Sequence, residues 1–169
     1  EEHISQDVLT TETINVPAWK ESSLEEPISL PKIQAKVGTD KEKSETRALI
    51  DTGARRSIIT KALVLSIFGK WPDSLVEEDK RTFTTANNSR CNSSGSITLE
   101  IVLKKHKYKH KFSILQDMPV PMILGGDFLD KQGAIINYRT KKIYMLNERK
   151  EQKEKYQHMT FSLESINSL

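Results

Sequence analysis

The sequence predicts a small all-β protein, a closed barrel or sandwich with one short helix near its C-terminal end, and three observations carry that reading. Segments such as "KIQAKVG" and "ITLEIVL" alternate apolar and polar side chains, the period of a half-buried strand. Polar clusters such as "TDKEKSE" and "NNSRCNSSGS" separate such segments, and their Asn, Asp, Ser and Gly content favours turns. Only "GGDFLDKQG" combines a capping acid with a closing glycine in the manner of a short helix.

Taken in order, Ile33, Ala35 and Val37 form the buried face of a first strand. "TDKEKSE" is its hairpin tip and "TRALIDT" the return strand, followed by a further strand at "SIIT". "KALVLSIFG" is apolar enough for a short helix or a strand, ended by Gly69 and Pro72. "RTFTTANNSRCNSSGS" begins with β-branched residues and then turns polar, as a mobile hairpin or loop does. Ile97, Leu99, Ile101 and Leu103 line the next strand, which pairs with "YKHKFSIL". "VPMIL" then runs into Gly125 and Gly126, Asp127 caps a helix of one to two turns closed by Gly133, and "AIINY" with "KKIYML" forms a last hairpin.

Size and composition set the outer bounds. The 169 residues suffice for one domain with tails. Hydrophobic content of 36% against 29% charged and 7% aromatic is slightly polar, so part of the length is expected to lie outside a packed core. No run approaches the roughly 18 apolar residues of a membrane span, and the start lacks the regions of a signal peptide. A soluble chain without a membrane partner is expected, and its start at Glu1 suggests a fragment or a processed product. The lone Cys91 excludes an internal disulfide framework and fits a reducing compartment. His106 and His110 have no thiol or carboxylate at ligand spacing. They read as solvated, and no metal or cofactor is expected.

Charge divides the chain. Residues 1–30 carry seven acids and one lysine, a net of −6 within a total of +3, which leaves +9 for the rest. With Pro17 and Pro27 they read as an acidic arm or linker, and residues 147–169, with charges of both signs, as a second linker or a surface helix. The domain is thus expected at residues 31–146. Inside it "KKHKYKHK", from Lys104 to Lys111, holds five lysines and one aromatic. A nucleic-acid patch would need the charge plus stacking aromatics. A charged hairpin tip that protects a sheet edge is the favoured reading, and direct nucleic-acid binding is not expected.

The chemistry concentrates in "RALIDTGARRSIIT". Asp51 lies between two apolar runs, where a carboxylate is costly unless hydrogen-bonded, paired or used. Thr52 supplies a hydroxyl, Gly53 permits close backbone approach, and Ala54 keeps the loop small. A turn with an exposed acid would explain the glycine but not the apolar flanks.

"ALIDTGARRSII" followed by "ILGGDFL" resembles the retroviral-type aspartic proteases, the retropepsins, over about residues 31–146. The wording "MILGGDFLDKQGAIINYRTKKIYM" is most similar to Ty3/gypsy-like retrotransposons and related reverse-transcribing viruses. The resemblance implies a one-lobe retropepsin barrel per chain. Because one Asp-Thr-Gly is present, it further implies a homodimer in which each copy supplies one Asp51, acting on a polypeptide substrate. It implies that Thr52 braces the pair and that the Gly53 carbonyl meets the substrate backbone. Ala54, Arg55 and Ile123 then face substrate, together with a flap tip at Ala86, Asn87, Asn88 and Ser89. Leu124 and Gly125 support the loop. Asp127 is expected to pair with Arg55, an exchange of the signs usual in the family; a surface arginine is the competing expectation. The implied role is maturation of a retroelement or viral polyprotein, in the cytoplasm or within virus-like particles. A non-catalytic dimerisation module and a cellular protease of the same fold are the alternatives.

Overall fold

The computed structural model describes residues 29–84, 88–147, 157–162 and 164–167. Its strands are β1 (Ser29–Gly38), β2 (Lys43–Ile50), β3 (Ile58–Thr60), β4 (Thr82–Thr84), β5 (Arg90–Asn92), β6 (Ser96–Leu103), β7 (His106–Leu115), β8 (Met122–Leu124), β9 (Ile135–Asn137), β10 (Lys142–Asn147), β11 (Gln157–Ser162) and β12 (Glu164–Asn167). Helix α1 spans Lys61–Phe68 and α2 spans Gly126–Lys131.

Six strands close a barrel in the order β1, β2, β8, β3, β7, β6, with β6 returning to β1 through pairs such as Lys36 with Val102. The expected all-β barrel is therefore the observed architecture. Alternation explains its core. Ile33, Ala35 and Val37 on β1 and Ile97, Leu99, Ile101 and Leu103 on β6 are buried, while the residues between them reach solvent or are half-buried. Each large side chain so buried contributes about 1.5–3 kcal/mol.

The apolar run after β3 resolves as a helix. Thr60 Oγ1 accepts the Leu63 N–H at 3.2 Å as N-cap, and Gly69 ends the helix at φ 76°, a left-handed conformation that glycine adopts without the Cβ penalty. Leu63, Val64 and Ile67 form the buried stripe, so helical spacing matched the core better than strand alternation.

Three expectations change. The lysine run is strand rather than tip. The turn is confined to Lys104 and Lys105, and β7 begins at His106, because "HKYKHKF" already alternates with period two. Lysines 107, 109 and 111 point outward, and His110 and Phe112 point in. Asp127 does not cap α2. The N-cap is Gly125, and Asp127 sits in the first helical turn, where a negative charge is still favourable. The C-terminal segment read as a linker or surface helix contains β11, paired with β10, and β12, paired with the start of β1.

Candidate active site

The parallel pairing of β2 with β8 places Asp51 directly after Ile50, opposite Leu124. Its N–H donates to the Leu124 carbonyl at 3.1 Å, so the loop leaves the barrel at a fixed point. Within the loop, Gly53 N–H donates to Asp51 Oδ1 at 2.9 Å and Ala54 N–H to the Asp51 carbonyl at 3.2 Å. Burial pushes the Asp51 carboxyl above the usual carboxylate range, and the backbone donors of Gly53 and Ala54 offset only part of that rise. A carboxyl so placed holds a proton more readily than a solvated one.

The loop rests on α2. Gly126 and Asp127 N–H groups donate to the Ala54 and Arg55 carbonyls at 2.7 and 3.0 Å. Gly125 N–H donates to Ser57 Oγ at 3.0 Å. A Cβ at Gly125 would stand 2.6 Å from both the Ala54 and the Arg56 carbonyl oxygen. Only a glycine lets the two segments approach this closely.

The Asp127 carboxylate is engaged by partners other than Arg55. Ser57 donates to it twice, from Oγ to Oδ1 at 2.7 Å and from N–H to Oδ2 at 3.1 Å. His110 Nε2 lies 3.1 Å from Oδ2. The expected Arg55 to Asp127 pair is thereby corrected, since Arg55 is exposed and meets Asp127 through its backbone carbonyl. The solvated reading of His110 is corrected too. Its side chain is 8% exposed, buried because the strand pleat turns it under α2. Desolvation works to raise the Asp127 carboxyl, yet the bonds from His110 and Ser57 outweigh it and hold the group below the usual range.

Thr52, Gly53 and Ala54 are half-buried in the loop, Ile123 is half-buried in β8, and Leu124 is fully buried beneath it. Strands β4 and β5 form a hairpin. Asn88 near its tip has φ 67°, while Ala86 and Asn87 lie outside the described residues. Asp79 fixes the base of the hairpin. Its Oδ2 accepts from Ser93 Oγ at 3.0 Å and Ser113 Oγ at 2.8 Å, and its Oδ1 meets Arg81 at 2.9 Å. Burial opposes ionisation there, and the Ser113, Ser93 and Arg81 contacts overcome it, lowering the carboxyl's pKa.

Sequence reasoning missed Tyr138. Although Tyr138 is exposed in the turn after β9, desolvation by its neighbours raises its phenol and the charge of Asp51 adds to the rise. No periodicity marks a residue in a turn as neighbour to a loop more than eighty residues earlier. Sequence reasoning likewise missed Ser57 and Asp79. A serine three residues past the Asp-Thr-Gly-Ala was the only available signal for Ser57.

A cleft of about 400 Å³ lies beside the loop on its His110 and Asp127 side. Asp51 does not line it. Among the described residues no group of His, Cys, Asp or Glu could hold a metal ion, and no helix is long and apolar enough to cross a membrane. What the loop presents is one half-buried carboxyl, on a loop braced from beneath by α2.

The profile of the family described as retroviral aspartyl protease matches residues 26–137, more than half of the chain. Among solved structures, the chain is similar to the retroviral protease-like domain of Ddi1 from Leishmania major, at a TM-score of 0.55 and 15% identity, over 78% of this chain and 95% of that one. The EIAV protease complexed with the inhibitor HBY-793 matches at a TM-score of 0.49 and 20% identity over 68% and 96%. A retropepsin-like aspartic protease from Rickettsia conorii matches at 0.45 and 24% over 63% and 84%. No curated protein matches the sequence. With the barrel, the Asp-Thr-Gly loop and the glycine-floored helix beneath it in place, the chain belongs to the retroviral aspartyl protease family.

Proposed function

We propose that the chain is an aspartic endopeptidase that works as a homodimer, each copy contributing one Asp51. The observation that carries this reading is the Asp51 loop itself, a carboxyl pushed toward its protonated form at the exit of a buried strand in a protein of this family. Metal-free hydrolysis of a peptide by water needs a base and an acid together, and one carboxyl cannot be both. Two carboxyls about 3 Å apart share one proton and titrate as a pair. The ionised Asp51 takes a proton from water as the oxygen attacks the carbonyl carbon. The protonated Asp51 of the second copy donates to the carbonyl oxygen. Collapse of the diol returns a proton to the departing amine nitrogen and restores the shared proton.

In this reading Thr52 braces the pair across the dimer, the Gly53 carbonyl accepts from the substrate backbone, and Ala54, Arg55 and Ile123 line the channel. The hairpin from Thr82 to Asn92, with Ala86, Asn87 and Asn88 at its tip, closes over the peptide. Exposed Ile135 and Tyr138 around the β9–β10 hairpin favour burial against a second copy. The substrate is a polypeptide, in the first instance the polyprotein of a retroelement, matured in the cytoplasm or in virus-like particles. A second reading, a cellular protease of the same fold, draws on the likeness to the Leishmania Ddi1 domain.

The test is hydrolysis of a mixed peptide library from pH 4 to 8 by the parent and by Asp51→Asn at several protein concentrations. Cleavage by the parent alone, rising more steeply than linearly with concentration, is expected. A dimeric parent that cleaves nothing would indicate a non-catalytic dimerisation module. Release of flanking segments from a longer precursor separates polyprotein maturation from the cellular reading.

A further inference from the structure

We infer that His110 is a positioning residue for the Asp51 loop: its imidazole holds Asp127, Asp127 holds Ser57, and Ser57 holds the backbone of Gly125 beneath the loop. The chain of contacts is continuous. His110 Nε2 meets Asp127 Oδ2 at 3.1 Å, both carboxylate oxygens accept from Ser57, and Ser57 Oγ accepts from Gly125 N–H. Gly125 starts the turn whose next two N–H groups bind the Ala54 and Arg55 carbonyls.

The imidazole is itself immobilised. Its ring stands edge-on to Phe112 at 5.4 Å and to Phe128 at 5.3 Å, with interplanar angles of 80° and 85°. Aromatic rings from β7 and α2 hold the imidazole with Nε2 3.1 Å from Asp127 Oδ2, an ion-pair distance at which Nε2 has no aligned hydrogen-bond acceptor. A carboxylate under the loop without that partner would be left with unmet desolvation, which neutralises it or turns it outward, and Ser57 would lose its anchor. A hydrophobic residue of similar size would fill the same space and supply no donor.

The brace suits acid conditions. Hydrogen bonds from Ser57 and the close His110 imidazole hold the Asp127 carboxyl below the usual carboxylate range, so the loop keeps its floor at a pH where a carboxyl pair holds one proton. Arg56, Arg81, Lys109, Lys111 and Lys131 face the same cleft. Arg81 is tied to Asp79 at 2.9 Å and Lys111 to Glu77 at 2.7 Å.

The rate consequence rests on the aspartic-protease reading, whereas the loop's stability does not, so both are measured. Urea unfolding from pH 3 to 8 and library hydrolysis are followed for the parent, His110→Phe, His110→Gln and Asp127→Asn. Asp127 has its folded pKa below its unfolded one, so its stabilisation is present above the ordinary carboxylate range and lost as pH falls through the lower folded value. His110→Phe is expected to move that acid loss to higher pH and to lower kcat by about tenfold or more, with KM less affected. His110→Gln, which keeps an N–H, is expected to recover most of both. Asp127→Asn removes the contribution of Asp127 to the acid loss and leaves that of Asp79. Parent-like kcat and an unchanged acid limb in His110→Phe would overturn the inference. So would folded Gln and Phe variants that are equally impaired, or failure of both to fold, since either outcome reduces His110 to packing. If the parent cleaves nothing, the protease reading fails, while the acid limbs still decide the brace.

Discussion

Replacing Gly125 with alanine probes a close backbone-to-backbone approach under the Asp51 loop. Its backbone does not require a positive φ, so the cost is purely steric. The added Cβ meets the Ala54 and Arg56 carbonyl oxygens at 2.6 Å and the Arg56 carbonyl carbon at 2.8 Å. All three are backbone atoms and cannot rotate away. Relief requires the loop and α2 to part by several tenths of an ångström, which lengthens the bonds from Gly126 N–H to Ala54 and from Asp127 N–H to Arg55. Overpacking costs about 1–3 kcal/mol, and weakening two hydrogen bonds adds about 1 kcal/mol. The expected loss is about 2–4 kcal/mol, or a drop in Tm of about 10 °C for a domain of this size. Gly126→Ala is the matched control. Its Cβ would meet its nearest neighbour at 3.5 Å, an ordinary contact, and alanine in a helical turn is favoured over glycine by about 0.5–1 kcal/mol. Paired urea melts, with library hydrolysis at one temperature, separate the two. Equal stability of Gly125→Ala and the parent, or equal damage at Gly126, would refute the close-approach argument.

Three further outcomes follow from the same geometry. Asp51→Asn should fold and lose hydrolysis by about a thousandfold or more. Because burial raises the folded pKa of Asp51, the parent loses stability as pH rises from the ordinary carboxylate range through that higher value; urea melts should therefore show the Asn variant more stable at pH 7 and level with the parent at pH 3. Asp79→Ala leaves the Ser113 hydroxyl without its acceptor and removes the contacts to Ser93 and Arg81; it should cost about 2 kcal/mol, with faster amide hydrogen exchange in β4 and β5 than in β6. Thr60→Ala removes the α1 cap and should cost about 1 kcal/mol by thermal melts, with no change in the pH profile of hydrolysis.

The strand pattern, the hairpins and the Asp-Thr-Gly loop were legible because each rests on local information. Alternation in "ITLEIVL" states which face is buried whatever lies opposite it. Asp51 declared itself by standing between apolar runs. "KALVLSIFG" did not declare its type, since an apolar run of that length fits either element and only the Thr60 cap and the shape of the barrel wall decide for a helix. The lysine run misled for a related reason: lysines dominate its composition, while the inward residues that define it as strand are two histidines and a tyrosine, which no hydropathy scale ranks as core.

Partners of charged groups could not be read from sequence at all. Asp127 was matched to Arg55 by proximity of sign and motif, but Arg55 faces solvent, and the carboxylate is met by Ser57 and by His110 from a strand on the far side of the loop. The sequence alone determined the barrel's strands and singled out Asp51 as an acid between apolar runs, because periodicity and burial cost are properties of single segments. Closure of the barrel, the glycine-floored contact and the His110, Asp127 and Ser57 brace depended on tertiary structure, because each joins residues whose proximity exists only after the chain has folded.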